Sequence, residues 1–208
     1  MAAAGAAVID RINAAARRAP TWPVYLLGLS QIPWLFWQAL NGALGVEPIE
    51  ALEHRYGLLG LQCLIAGLSI SLLRRFLGIN LIRFRRAVGL VAFALIAAHL
   101  LVWLLLDVQS PAAVWKDIVK RPYITIGMLG FAALVPLAMT STDRAIRALG
   151  ARGWRRLHRL TYVAVLLGCT HYVMLVKGWQ AEPLLYLGLA VCFLGLRLVP
   201  KNGAPRRP

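Results

Sequence analysis

The sequence predicts an all-α fold: a polytopic membrane bundle of six transmembrane helices with both termini in the cytoplasm. Three observations carry that expectation. The chain is 60% hydrophobic, with a mean hydropathy of +0.67. Only 15% of its residues are charged, against about a quarter in soluble domains. The apolar residues gather in six stretches, and the arginines gather between them in every second loop.

Residues 1–21 come first. A small-residue run followed by Arg11, Arg17 and Arg18 reverses the order of a cleavable signal peptide, so this segment reads as a cytoplasmic lead-in, in part an interfacial helix. Residues 22–199 form the transmembrane domain, with spans at 22–40, 56–73, 87–106, 122–140, 157–176 and 183–199. Each approaches the roughly 20 apolar residues that cross hydrocarbon. Pro23, Pro122 and Pro183 stand near first turns, where a missing N–H does no harm. Pro33 and Pro136 fall inside spans and are expected to bend them. Residues 200–208, with Lys201, Arg206 and Arg207, form a basic cytoplasmic tail. The sequence supports no internal repeat and no linker long enough to separate two domains.

Orientation follows from the loops. The second holds Arg74, Arg75, Arg83, Arg85 and Arg86, and the fourth holds Arg144, Arg147, Arg152, Arg155 and Arg156. The first outer loop (41–55) carries Glu47, Glu50 and Glu53, and the third (107–121) mixes Asp107 and Asp117 with three cations. The positive-inside rule therefore puts loops one, three and five outside. The net charge of +15 is spent on this topology; no basic domain stands apart, so nucleic acid is not an expected partner. Cys63, Cys169 and Cys192 lie in apolar segments without metal-ligand spacing and read as small buried residues.

Within this scaffold His99 and His171 are the anomaly. A titratable ring in hydrocarbon is costly and marks a functional site. Helix three enters after Arg86 and helix five after Arg156, which puts the two histidines about 20 and 22 Å along their helices at a rise of about 1.5 Å per residue. They match in depth, in the outer half of the membrane. A lone membrane histidine often serves as a helix–helix hydrogen-bonding residue. Two at one depth, with no carboxylate inside any span, favour a bis-imidazole haem site. Zinc would want three or four ligands.

His158 lies 13 residues before His171, a rotation of about 220° on an ideal helix, so the two do not share a face. It reads as an inner-haem ligand with a non-histidine partner, as a contact to a propionate, flavin or quinone, or as an interfacial residue among arginines. His54 belongs to the acidic outer loop and is expected to face solvent. Arg75, Arg85 and Arg156 are candidates to pair with propionates or phosphates, which suits a guanidinium fork. Trp34, Trp37, Trp103, Trp115, Trp154 and Trp179 fall near interfaces, as belt anchors do.

The stretches LGVEPIEALEHRYG, SLLRR, LIRFRRAVGL, AAHLLVWLLLD, KRPYITIGMLGF, PLAMTSTD and WRRLHRLTYVAVLLGCTHYVMLVK follow in order along nearly the whole chain. Together they resemble the MsrQ (YedZ) family, the haem-binding membrane subunits of protein-methionine-sulfoxide reductase systems, within the ferric-reductase-like transmembrane group. The resemblance implies a six-helix b-type cytochrome of the bacterial inner membrane with at least one haem b. It implies electrons drawn from the quinone pool and passed to a periplasmic molybdenum-containing catalytic subunit that repairs oxidised methionines. The family's haem-related histidines fall on His99, His158 and His171, and FMN is associated with the family. The broader group pairs two histidines on each of two helices; here Arg85 and Arg86 occupy the inner end of helix three.

Two other functions compete. A stand-alone transmembrane ferric reductase, or another quinol-linked cytochrome b, would share the bundle. Only a few polar residues follow the last span, which argues against an appended nucleotide-binding domain. A transporter would show inverted repeats and midplane polar residues, and neither is visible. The chain offers no nucleophile–base pair, so substrate chemistry is expected in a partner.

Overall fold

A computed structural model describes residues 2–176 and 178–199, and helices dominate them. They are α1 (Ala2–Arg18), α2 (Trp22–Leu29), α3 (Gln31–Leu40), α4 (Pro48–Leu72), α5 (Arg85–Val102), α6 (Pro111–Lys120), α7 (Pro122–Met139), α8 (Asp143–Leu157), α9 (Leu160–Leu175) and α10 (Ala181–Leu198). Four stretches are long and apolar enough to cross a membrane: Pro48–Leu77, Ile82–Val108, Pro122–Met139 and Ala181–Leu198. The tail carrying Lys201, Arg206 and Arg207 lies outside the described residues.

The first expected span, 22–40, is two helices that meet at Ser30. Pro33 explains the break. Its nitrogen cannot donate to the Leu29 carbonyl, and its ring crowds that carbonyl. The fifth expected span, 157–176, shortens to the 16 residues of α9. His158 and Arg159 instead close a turn in which Thr161 and Tyr162 bond back three residues. The expected outer loops are partly helical too. α4 begins at Pro48, so Glu50, Glu53 and His54 lie on its first turns, and α6 fills most of the third loop. α8 is interrupted at Gly150, whose φ of 66° and ψ of 158° suit glycine alone.

Long range, α4 and α5 form one antiparallel pair, α7 and α9 a second, with α10 against α4 and α9. Ala92, Val165, Cys169 and Ala190 are fully buried where these helices meet. Small residues at such contacts let backbones approach, which is what drives helix association in lipid. Polar side chains join the helices as well: Gln62 donates to the Tyr186 hydroxyl at 2.7 Å, and Arg197 donates to the Leu68 carbonyl at 2.6 Å. Cys63 and Cys169 pack inside as expected, whereas Cys192 is exposed on α10.

The two ends of the bundle differ in charge. At one end the α4–α5 connection receives α1, through Asn13 on Gly78 and Asn80 and through Arg83 on the Ala16 carbonyl. Arg86 pairs with Asp143 at 2.7 Å, drawing the start of α8 to the same end. Arg75 donates to the carbonyls of Leu196, Arg197 and Val199, the unpaired last turn of α10. Arg75→Ala should therefore destabilise the protein by about 1–2 kcal/mol. A thermal melt in detergent reads this as a lowered midpoint; an unchanged melt would mean the last turn of α10 is held by other means.

Candidate functional site

At the opposite end, a cavity of about 740 Å³ opens between α4, α5, α7 and α9. Leu61, Ile96 and Phe131 line it deep in the bundle, and Glu50, Asp107 and Gln180 line it near the helix ends. His99, from α5, and His171, from α9, both face into it. Their ring centroids are 6.1 Å apart, with planes inclined at 76°. The two histidines singled out by depth thus meet in one space.

Each ring is held by the same kind of bond. The His99 Nδ1–H donates to the Glu53 carbonyl on α4 at 2.9 Å, and the His171 Nδ1–H donates to the Tyr123 carbonyl on α7 at 2.7 Å. A carbonyl can only accept, so both rings carry their proton on Nδ1 and leave Nε2 as a bare lone pair. A hydrogen bond of this kind from the far ring nitrogen fixes the orientation of an imidazole that binds metal. Two imidazoles sharing one metal atom, with bonds of about 2 Å, put their ring centroids roughly 6 Å apart. The observed separation fits. Among the described residues no cluster of three or more His, Cys, Asp or Glu side chains could hold a bare ion. Two nitrogens and a deep apolar cavity suit a metal that brings its own equatorial ligands, and the volume lies within the roughly 300–1,000 Å³ of cofactor pockets.

His158 does not join this pair. It caps α8, in the turn before α9 and at the opposite end of that helix from His171, stacked on Trp154 with ring centroids 3.8 Å apart. The Thr140 hydroxyl gives its proton to the Pro136 carbonyl, so it accepts from the His158 Nε2–H at 3.3 Å. Its Nε2 is engaged where those of His99 and His171 are free. Arg75, Arg85 and Arg156 also lie toward the arginine-rich end. Arg75 caps α10, Arg85 donates to the Ser71 hydroxyl at 3.4 Å, and Arg156 is exposed.

The cations that do line the cavity are Arg55 and Arg121. Sequence reasoning passed over both because they sit in acidic, outward segments rather than in the arginine blocks. Arg121 is paired with Asp117 at 3.5 Å, and the adjacent Tyr123 hydroxyl raises its already high pKa further. Trp103 also departs from expectation. It is 7% exposed and lines the cavity, whereas Trp34, Trp37, Trp115 and Trp179 are exposed as anchors should be. His54 is exposed, as expected, but on a helix.

Comparison with known proteins gives this arrangement a family. Residues 55–169 match the family described as "Ferric reductase like transmembrane component". The protein-methionine-sulfoxide reductase heme-binding subunit MsrQ of Brucella anthropi is 41% identical over 188 residues, covering 90% of this chain and 85% of that protein. The proteins of the same name from Brucella ovis and Brucella canis are 40% identical over the same shares. No solved structure matches the chain. Identity of this level along nine-tenths of its length, across every helix that lines the cavity, means that the chain belongs to the MsrQ family of multi-pass membrane proteins.

Proposed function

We propose that the chain is a haem b-binding subunit of the bacterial inner membrane that carries electrons from the quinone pool to a periplasmic, molybdenum-containing methionine sulfoxide reductase. The observation that carries this reading is the His99–His171 pair, with free Nε2 atoms and ring centroids 6.1 Å apart in one cavity. Bound haem supplies reversible one-electron exchange at its iron. His99 and His171 would hold the iron, each through its Nε2, while the Glu53 and Tyr123 carbonyls keep each ring turned. Arg55 and Arg121 are the cations on the cavity wall suited to propionate carboxylates. Phe131 and Trp103 form apolar walls that exclude water. His158 and Arg85 belong to the arginine-rich end, apart from this pair.

The six-span topology completes the reading. α2 with α3 makes one crossing, and α4, α5, α7, α9 and α10 make the other five. The arginine-rich end is cytoplasmic by the positive-inside rule, and the cavity then opens toward the periplasm, where the partner works. Purified protein should show a reducible b-type spectrum, be reduced by a quinol analogue, and be reoxidised by the catalytic subunit with a methionine sulfoxide. A colourless protein that takes up no added haem would overturn the reading. Reduced haem that the catalytic subunit cannot reoxidise would overturn the partner assignment.

A further inference from the structure

The two histidine seats are the same structure built twice. On α4, the carbonyl that holds His99 belongs to Glu53, and glycines follow four and seven residues later, at Gly57 and Gly60. On α7, the carbonyl that holds His171 belongs to Tyr123, and glycines again follow four and seven residues later, at Gly127 and Gly130. A side chain at Gly57 would bring its Cβ within 3.1 Å of His99 Nδ1; one at Gly127 would reach 2.8 Å from His171 Nδ1. The second glycines face the histidine helices at equivalent places too. A Cβ on Gly60 would stand 3.4 Å from the Ala92 carbonyl oxygen and one on Gly130 3.8 Å from the Ala164 carbonyl oxygen, and each alanine stands seven residues before its histidine.

We infer that Gly57 and Gly127 are positioning residues, one in each copy of a duplicated seat, and that they set how strongly His99 and His171 would donate to a bound iron. This rests on the reading of His99 and His171 as haem ligands. The physical reason is the turn of helix they occupy. In an α-helix the N–H of residue i+4 bonds to the carbonyl of residue i, so each glycine lies directly over the carbonyl that its histidine uses. A Cβ there lies in the path of the imidazole and displaces Nδ1 from the carbonyl's second lone pair. The Nδ1–H bond to oxygen makes an imidazole more basic and so a stronger donor to an oxidised metal. Losing it weakens the ligand, favours the reduced state and raises the midpoint potential.

The test compares the four glycines in full-length protein. Gly127→Ala is expected to weaken haem binding about 10- to 100-fold, the range for losing the hydrogen-bond partner of a metal-bound histidine, and to raise the haem midpoint. Gly57→Ala should do the same more mildly, because its contact is looser by 0.3 Å (3.1 against 2.8 Å). Gly130→Ala meets Leu167 at 3.4 Å rather than a ring, so it should change the melting temperature without moving the midpoint, and Gly60→Ala, which meets Ile96 on the cavity wall at 2.5 Å, should show its main effect in the melt. If Gly127→Ala does not accumulate, Gly57→Ala decides the matter. A midpoint unmoved in Gly57→Ala and Gly127→Ala, or moved equally by all four substitutions, would overturn the inference. Haem retained in full by both His99→Ala and His171→Ala would instead overturn the ligand reading beneath it.

Discussion

Replacing either His99 or His171 with alanine is expected to lower the haem recovered with the purified protein by at least about tenfold, while His158→Ala leaves that haem in place. If His99 and His171 are the ligands proposed above, each removal takes away one of two imidazole nitrogens held toward the same space. Among the described residues no group of three or more His, Cys, Asp or Glu side chains is placed to hold a metal ion without them. The substitution also leaves the Glu53 or Tyr123 carbonyl without its imidazole donor, but a backbone carbonyl keeps its helical partner and loses little. His158 differs because its Nε2 already donates to Thr140, and its ring packs on Trp154 at the other end of the bundle. Pigment content per mole, from a pyridine haemochrome assay, reads the outcome. Full content in both the His99 and His171 variants would remove the pair as ligands, and loss of that haem in His158→Ala would break the separation of the two ends.

The histidine pair was legible because two independent signals agreed. Apolar periodicity placed the helices, and the arginine blocks gave each one a starting edge from which depth could be counted. Depth survives an error of two or three residues at a helix end, so the match in depth between His99 and His171 agrees with their ring centroids lying 6.1 Å apart although α9 begins at Leu160 rather than 157. Rotation and side-chain reach do not survive it. Arg75, Arg85 and Arg156 were chosen for charge and clustering, yet clustered arginines mark a topological edge. In this fold that edge lies opposite the cavity, and Arg75 is occupied by the end of α10. The break at Ser30 was foreshadowed by Pro33, but hydropathy alone reads 22–40 as one span.

The duplicated seat was written in the sequence in a form that identity searching passes over. GLLG at 57–60 and GMLG at 127–130 are short, and each begins more than 40 residues ahead of the histidine it serves. An alanine seven residues before each histidine completes the pattern. None of these residues carries chemistry by itself. Their meaning is a distance between a carbonyl and a ring on different helices, and only the packed helix pair supplies it.

The second large effect concerns the cavity rather than the ligands. Gly168 lines it from α9, three residues before His171, and a Cβ there would meet only Leu61 Cδ1 at 3.6 Å, an ordinary contact. The backbone can therefore bear a side chain, and anything longer than a methyl group must extend into the open volume. Gly168→Phe should occupy the space between α4 and α9 while leaving both histidines and both carbonyl bonds in place. The expected result is a protein that folds and melts near the parent temperature but binds haem at least about tenfold more weakly, since a flat macrocycle and a phenyl ring cannot share a packed site. Met128→Trp, from the α7 wall of the same cavity, tests the point from the other side. Haem titration of apo-protein, beside a thermal melt, separates the two quantities. Unaltered haem affinity in both variants would show that the macrocycle does not lie in this cavity, whatever the histidines hold; lost affinity with an intact melt ties the ligand pair and the space between them to one site.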